Sequence, residues 1–207
     1  MGRTSDASER LMTAALDLMW EESYGAVTID DICQRAQVKK GSFYYFYDSK
    51  SELAIAALER SALAQKAIWD EQFSPSVAPL ERMRARCDYT YQKQAEIKAR
   101  TGKVLGCPLC SVGSEICNQD ERIREKIQQI LATNTKYWET AIRDAQGLGL
   151  IGPGDAASKA RCVLAYYEGL ITQARIHNDA EMLRDLGDFV LAHLHAKVPE
   201  HHAVAGV

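Results

Sequence analysis

Helical periodicity dominates this sequence and restricts what the chain can fold into. Apolar residues recur every three or four positions over long stretches, and runs of β-branched residues are few. Glycine and proline cluster in short breaks between these stretches, at SYGAV, SPSVAP, TGKVLGCP and GLGLIGPGD. The pattern predicts an all-α fold. The predicted helices cover 6–22, the segment TIDDICQRA, 39–47, 50–71, 79–101, 108–118, 120–146, 155–177 and 180–196.

The composition is that of an ordinary globular protein. Of the 207 residues, 46% are hydrophobic and 26% are charged. No run of about 18 apolar residues occurs, and the N-terminus lacks the apolar core of an export signal. We therefore expect a cytoplasmic protein with no membrane partner, whose six cysteines are thiols rather than a disulfide framework. The net charge of −3 does not by itself indicate a polyanionic partner.

Five consecutive aromatic residues stand in KKGSFYYFYDSKSEL, which runs from Lys39 to Leu53. A strand here would bury most of these rings and would need partner strands that an all-helical pattern does not supply. In a helix, by contrast, the run divides into two faces. One face carries Lys39, Phe43, Phe46 and Tyr47, and the opposite face carries Gly41, Tyr44 and Tyr45, with Lys40 and Ser42 at its edges. We predict a helix anchored by its phenylalanines.

The outer face of this helix has the chemistry of a DNA-binding surface. Hydroxyl and ammonium groups donate to phosphate oxygens, and a short helix fits the major groove, where serine or tyrosine can reach base edges. The preceding segment TIDDICQRA opens with Thr28 and has Asp31 three residues later, which is the signature of a capping box. A capped helix, a short turn and a second helix predict a helix-turn-helix unit.

The segment VTIDDICQRAQVKKGSFYYFYDSKSEL resembles the signature of the TetR family of one-component transcriptional repressors. The matching positions are Thr28, Ile32, Ala36, Val38, Gly41, Phe43, Tyr44, Phe46, Lys50 and Leu53. Gln37 stands where the family has a turn glycine, Lys39 where it has an N-cap serine, and Cys33 where alanine is usual.

The resemblance implies roles for individual residues of this segment. Thr28, Tyr44 and Lys50 would hold phosphates, and Lys40, Ser42 and Tyr45 would read bases, while Lys39 and Gly41 complete the predicted DNA-binding set. The alternative is that Tyr44 and Tyr45 merely cap a small core.

The resemblance also implies two domains and a homodimer. Residues 1–50 would form an N-terminal three-helix helix-turn-helix domain, and 51–198 a larger helical ligand-binding and dimerisation bundle, with 199–207 a disordered tail. The segments 155–177 and 180–196 carry broad apolar stripes, which suit a four-helix seam with the same pair of a second copy. A plain monomer core would show the same stripes.

Polar or reactive side chains on apolar stripes are the candidates for lining an effector pocket. Asn134 lies on such a stripe and must be satisfied by protein, water or a ligand. The predicted pocket set, besides the cysteines described next, is Cys87, Tyr91, Asn134, Trp138, Tyr166 and Tyr167. Aromatic residues of this kind are more often core than ligand contacts.

The segment GCPLCSVGSEIC carries the sharpest chemical feature of the larger half. Because Pro108 suits the first position of a helix, Cys107 is predicted at its N-cap, where free N–H groups lower the pKa of a thiol. Cys110 lies one turn further and could resolve an oxidised Cys107 as a disulfide. The segment also resembles a TetR subset with Gly-Cys-Pro-(Leu/Phe) before this helix.

Three interpretations of these cysteines stay open at this stage: packed thiols, a thiol sensor, and a zinc site. Zinc is disfavoured because Cys107, Cys110 and Cys117 lack a second pair or a nearby histidine, so no metal and no cofactor is expected. A thioredoxin-like enzyme would need strands beside its C-x-x-C, and no catalytic constellation stands out, so we expect no enzyme.

These observations together predict a DNA-binding transcriptional regulator. It would be a homodimeric repressor that leaves a palindromic double-stranded operator when a small-molecule effector binds or a thiol is modified. The alternative is a small-molecule or thiol-redox binding protein without DNA-binding activity. The acidic balance of residues 1–53, with six Lys and Arg against nine Asp and Glu, favours that alternative.

Overall fold

Helices make up the ordered elements of the computed structural model, which describes residues 2–197. The helices are α1 (Gly2–Glu21), α2 (Ile29–Ala36), α3 (Lys40–Phe46), α4 (Lys50–Gln72), α5 (Pro79–Thr101), α6 (Pro108–Ile116), α7 (Glu121–Gly147), α8 (Ala156–His177) and α9 (Leu186–His193), with a 3₁₀ turn at Ala180–Leu183 before α9. No strand occurs in this part of the chain, which confirms the all-α prediction. The predicted tail at 199–207 lies outside the described residues.

Local capping chemistry explains where the helices begin. The Thr28 hydroxyl accepts from the backbone N–H of Asp31 while the Asp31 carboxylate accepts from that of Thr28, so the predicted capping box is present. The side chains of Ser49 and Asp120 each accept one backbone N–H at the starts of α4 and α7. Pro79 and Pro108 occupy the first positions of α5 and α6, as their sequence contexts predicted.

The predicted single helix over 180–196 is wrong. Asp179 caps a 3₁₀ turn at Ala180–Leu183, which contacts α5 and α8, and the chain then re-enters a helix at Leu186. Gly187 lies so close to α5 that a Cβ there would meet the Cγ of Arg84 at 3.3 Å. Both segments pack their buried side chains against α5 and α8.

Two clusters of buried side chains hold the fold together. The first core joins α1 to α3 and the start of α4, and it includes Val112 of α6 and Ile123 and Ile127 of α7. The second core joins the end of α4 to α5, α7, α8 and α9, and is built around Trp138. Because α6 and α7 complete the first core, the predicted division after residue 50 stays a proposal.

None of the helices between residues 2 and 197 combines the length and the apolarity that crossing a membrane requires.

Candidate nucleic-acid interface and adjoining cavity

The aromatic run is helical over Lys40–Phe46 as predicted, but Phe46 is only half-buried, so Tyr47 rather than Phe46 is the second anchor beside Phe43. Phe43 is fully buried and Tyr47 is nearly so, and the Tyr47 hydroxyl shares a 2.8 Å hydrogen bond with Ser8 Oγ. On the opposite side Tyr44 is 51% exposed and Tyr45 74% exposed. Two aromatic side chains therefore fix α3 against the first core, and two others stand in solvent with free hydroxyl groups.

The two lysines at the start of α3 differ in their ion pairs. Lys40 Nζ lies 2.8 Å from Asp30 Oδ1, and hydrogen bonding to that carboxylate raises the pKa of Lys40. Both side chains are more than half exposed, so this is a surface ion pair that a phosphate can displace at little cost. Lys39 makes no salt bridge with any described residue. Lys39, Lys40, Gly41 and Ser42 are all exposed around the start of α3.

Two residues of the predicted DNA-binding set form hydrogen bonds within the protein. Lys50 Nζ donates to the carbonyls of Tyr24 and Val27, at 2.8 Å each, and burial lowers its pKa. The Thr28 hydroxyl donates to Asp31 Oδ2 at 2.6 Å. Both side chains hold the α1–α2 turn and the start of α2, and their phosphate-binding roles stay predictions.

The segment around α6 is tied directly to the α1–α2 turn. Glu115 accepts hydrogen bonds from the backbone N–H groups of Tyr24, at 2.8 Å, and Gly25, at 2.6 Å. Trp20 Nε1 donates to the carbonyls of Leu105 and Gly106, at 2.9 and 3.1 Å. Sequence reasoning missed these links because the partners are some 85 to 91 positions apart.

A cavity of about 210 Å³ lies between the helix-turn-helix end and the rest of the bundle. Of the predicted pocket set it includes Cys107, Asn134 and Tyr167. Its other lining residues come from α1, α4, α5, the segment before α6, α6, α7 and α8: Leu16, Trp20, Leu58, Ser61, Ala62, Gln65, Trp69, Arg86, Tyr89, Thr90, Lys93, Gln94, Gly106, Pro108, Leu109, Ile130, Glu168 and Ile171.

Five other predicted pocket residues lie outside this cavity, and one of them, Cys110, lines a neighbouring surface pocket. Cys87 and Trp138 are fully buried in the second core, and burial raises the pKa of Cys87. The Tyr91 hydroxyl donates to Glu181 Oε1 at the surface. Tyr166 stacks on His193 of α9, with ring centroids 5.5 Å apart. The apolar stripes located these side chains on buried faces but could not distinguish core from cavity wall.

Arg86 is a cavity residue that sequence reasoning missed. Its guanidinium lies 3.9 Å from the centre of the Trp69 ring, and its Nε donates to the Tyr167 hydroxyl at 3.2 Å. Its Nη1 is buried without a hydrogen-bond partner among the described residues. A buried cationic N–H without an acceptor is costly, so the cavity is suited to a molecule that brings an acceptor or a negative charge.

The two cysteines at the start of α6 meet a carboxylate from α8. Cys107 is the N-cap residue, as predicted, and Cys110 Sγ donates to Glu168 Oε2 at 3.3 Å. Sequence reasoning missed Glu168 because it lies 58 positions beyond Cys110. Cys117 ends the same helix and packs at the edge of the first core, away from this group.

The predicted lowering of the Cys107 pKa is wrong. A hydrogen bond with Cys110, burial of the thiol and the nearby Glu168 carboxylate all raise the pKa of Cys107 well above its ordinary value. Burial also raises the pKa of Glu168. The free N–H groups at the helix start do not offset loss of water around the sulfur.

Alkylation of Cys107 is therefore expected to be slow at pH 7 and to accelerate with every step in pH through 9. Only the thiolate form of Cys107 reacts, and its pKa in the folded protein lies above this pH range. The thiolate fraction of Cys107 therefore grows about tenfold per pH unit. In the urea-unfolded chain, with a thiol pKa of about 8.5, the rate should level off above that pH. Iodoacetamide labelling followed by peptide mass spectrometry measures both profiles, and a plateau near neutral pH in the folded protein would contradict the expectation.

Family models match both the N-terminal and the C-terminal part of the chain. The family model described as bacterial regulatory proteins, tetR family, matches residues 11–57. The model described as tetracyclin repressor-like, C-terminal domain, matches residues 79–188, which is more than half of the chain.

Individual relatives agree with these matches. The transcriptional regulator AcuR of Cereibacter sphaeroides is 29% identical over 173 residues, covering 82% of this chain and 77% of that protein. The repressor NemR of Escherichia coli K12 is 24% identical over 193 residues, covering 91% and 92%. A crystal structure of a regulatory protein TetR from Rhodobacter sphaeroides superposes with a TM-score of 0.79 at 26% identity, covering 90% and 98% of the two chains.

Proposed function

We propose that this chain, which belongs to the TetR family of bacterial regulatory proteins, represses transcription by binding a palindromic operator as a homodimer in the cytoplasm. As a member of that family it is a DNA-binding transcriptional regulator and not an enzyme. The observation that carries the proposal is the outer face of α3, where Tyr44 and Tyr45 stand exposed beside Lys39 and Lys40 while Phe43 anchors the helix.

The exposed residues of α3 divide by reach into two groups. Tyr45 and Ser42 carry hydroxyl groups that can meet base edges in the major groove, with Lys40 after exchange of its Asp30 partner. Tyr44 and Lys39 are also exposed, and their hydroxyl and ammonium groups can donate to phosphate oxygens. A Cβ at Gly41 would meet nothing within 4 Å in the protein alone, so its absence serves close approach of DNA rather than packing.

The outward faces of α8 and α9 are proposed as the homodimer seam. Ile176 is 68% exposed and Phe189 46% exposed on these helices. A second copy covering these residues would build a four-helix seam. Two α3 helices would then enter successive major grooves, about 34 Å apart.

Release from the operator is proposed to begin at the cavity. An effector with an acceptor group for Arg86, or modification of Cys107 or Cys110, would change the position of α6. Because Glu115 of α6 holds the α1–α2 turn, movement of α6 reaches the helix-turn-helix unit. The effector then acts by favouring a conformation with weaker operator affinity, and operator DNA weakens effector binding by the same factor.

Substitution of Tyr45 by alanine is expected to weaken binding to a fragment of the protein's own promoter by roughly 5- to 150-fold, the effect of losing about 1–3 kcal/mol of base contact. Stability should be nearly unchanged because Tyr45 is 74% exposed. Wild-type affinity should also fall steeply with salt, by about 0.9 log units per log unit of salt for each phosphate contacted. Fluorescence anisotropy over a salt series measures both effects.

The matched control is Leu63→Ala, which alters an exposed side chain on α4 and should bind DNA as the wild type does. Binding by Tyr45→Ala at wild-type affinity would remove α3 as the reading surface. Wild-type protein that binds no promoter DNA at any salt concentration would instead favour a binding protein without DNA-binding activity.

The double substitution of Ile176 and Phe189 by aspartate is expected to convert a dimer into a monomer, because two carboxylates would be buried without partners in the proposed seam. Sedimentation velocity over a concentration series measures the mass. Leu63→Asp, at another exposed apolar position, should remain dimeric. A double variant that keeps the dimer mass would place the seam elsewhere.

A further inference from the structure

Three potential metal ligands converge beside the cavity. Cys107 and Cys110 are spaced one helical turn apart at the start of α6, and Glu168 faces them from α8. The two sulfur atoms and a carboxylate oxygen all lie within 4.8 Å of one another. Two separate stretches of chain thus bring three ligand atoms to one point.

The carboxylate of Glu168 is poorly satisfied by the protein. Within the described residues its carboxylate accepts a hydrogen bond from the Cys110 thiol, and a thiol is a weak donor. Glu168 is half-buried, and a carboxylate with restricted access to water normally receives stronger donors, because an incompletely paired charge is costly where the dielectric constant is low. A cation between the three groups would satisfy all of them.

A route from solvent reaches the cysteines. A second pocket at the surface between α1, α6 and α8 is lined by Cys107, Cys110, Ser111 and Arg175. The cavity of about 210 Å³ reaches Cys107 and Glu168 from the other side. The three ligands therefore form part of the wall between two spaces, and each space can deliver an ion or hold a further ligand.

We infer that Cys107, Cys110 and Glu168 form a three-ligand site for a thiophilic divalent cation, with zinc as the reference ion. Tetrahedral zinc has sulfur ligands at about 2.3 Å and carboxylate oxygens at about 2.0–2.2 Å, so its ligand atoms lie roughly 3.5 Å apart. The Cys110–Glu168 separation of 3.3 Å is close to this spacing. The sulfur of Cys107 lies within 4.8 Å of the other two ligand atoms.

The donor set selects the class of ion. Two thiolates and one carboxylate suit zinc and similar soft or borderline cations, whereas magnesium and calcium prefer oxygen ligands only. Binding displaces the two thiol protons to solvent, and no oxidation is involved. The bound group carries one net negative charge, and the positive charge of Arg86 lies near enough to act on Glu168. Three protein ligands leave a fourth position open for water or an effector atom.

Ion binding would fasten α6 to α8. Since Glu115 of α6 holds the α1–α2 turn, the ion would influence the helix-turn-helix unit; this consequence rests on the proposed repressor function, whereas the binding itself does not.

The test uses the reduced full-length protein and cobalt(II) as a spectroscopic probe, followed by zinc in competition with a chromogenic chelator. We expect one ion per subunit and a thiolate-to-cobalt charge-transfer band. Cys107→Ser, Cys110→Ser and Glu168→Gln should each weaken binding by more than about tenfold, the lower end of the loss seen when even supporting residues are removed. Cys117→Ser, which removes a thiol of the same segment outside the cluster, should bind as the wild type does.

Folding of each variant is checked by circular dichroism and thermal melting before titration. Absence of saturable binding in the wild type, or wild-type affinity in Glu168→Gln, would overturn the inference. So would loss of binding in the folded Cys117→Ser variant.

Promoter DNA binding is measured on the same preparations. Zinc binding without DNA binding would contradict the repressor proposal and support the metal site. DNA binding without zinc binding would contradict the metal site and support the repressor proposal.

Discussion

Replacing Phe43 by alanine is expected to lower the free energy of unfolding by about 3–5 kcal/mol, the usual cost of removing a buried phenylalanine side chain. Phe43 is fully buried, and its ring packs edge-on against Tyr44, with centroids 5.1 Å apart. Proteins of ordinary stability have a free energy of unfolding of about 5–15 kcal/mol, so the substitution should remove a large part of the stability. Since α3 has only seven residues, the loss of its anchor should also abolish operator binding.

Urea denaturation followed by circular dichroism measures the effect. Tyr45→Ala is the matched control on the same helix, and its unfolding free energy should stay within about 0.5 kcal/mol of the wild type, as for most exposed positions. A Phe43→Ala variant that is as stable as this control would show that α3 is held in another way.

Replacing Trp138 by alanine is expected to cost a similar 3–5 kcal/mol, because a large side chain leaves a void in a packed core. Trp138 is fully buried and contacts Phe73 and Tyr167, with ring centroids 5.4 and 5.5 Å away. This result would identify Trp138 as a core residue rather than an effector contact.

Asn134 supplies the control for Trp138, one turn earlier on α7. It lines the cavity, so Asn134→Ala should change the free energy of unfolding by less than about 1 kcal/mol. The same denaturation experiment measures both. Equal losses from the two substitutions would mean that the cavity wall and the core are one structural unit.

Local patterns predicted the elements of the fold because the causes are local. The capping box of Thr28 and Asp31 and the first-turn Pro79 and Pro108 act within a few residues of where they stand. The two faces of the aromatic run follow from helical geometry alone. The break before α9 could not be read in this way, because it depends on how 180–183 and 186–193 meet α5 and α8.

The candidate site depends instead on contacts between distant parts of the chain. Cys107 looked activated from its position at a helix start, yet a hydrogen bond with Cys110, burial and Glu168 reverse the direction of its pKa shift. Lys50 stands at a position that the family resemblance assigns to phosphate binding, and in the structure its Nζ donates to two carbonyls of the α1–α2 turn. No spacing rule in the sequence indicates either partner.

The central claim is that α6 couples the cavity and its thiols to operator binding. The direct test is the affinity of the purified protein for its own promoter DNA, measured in the reduced state and after oxidation at pH 9, because the raised pKa of Cys107 makes its thiol slow to react at neutral pH. We predict tight binding when reduced, weaker binding when oxidised, and no change on oxidation of Cys107→Ser. Equal affinity in both states, together with equal affinity before and after saturation of the cavity with a small-molecule ligand, would contradict the coupling and leave a DNA-binding protein that does not respond through this site.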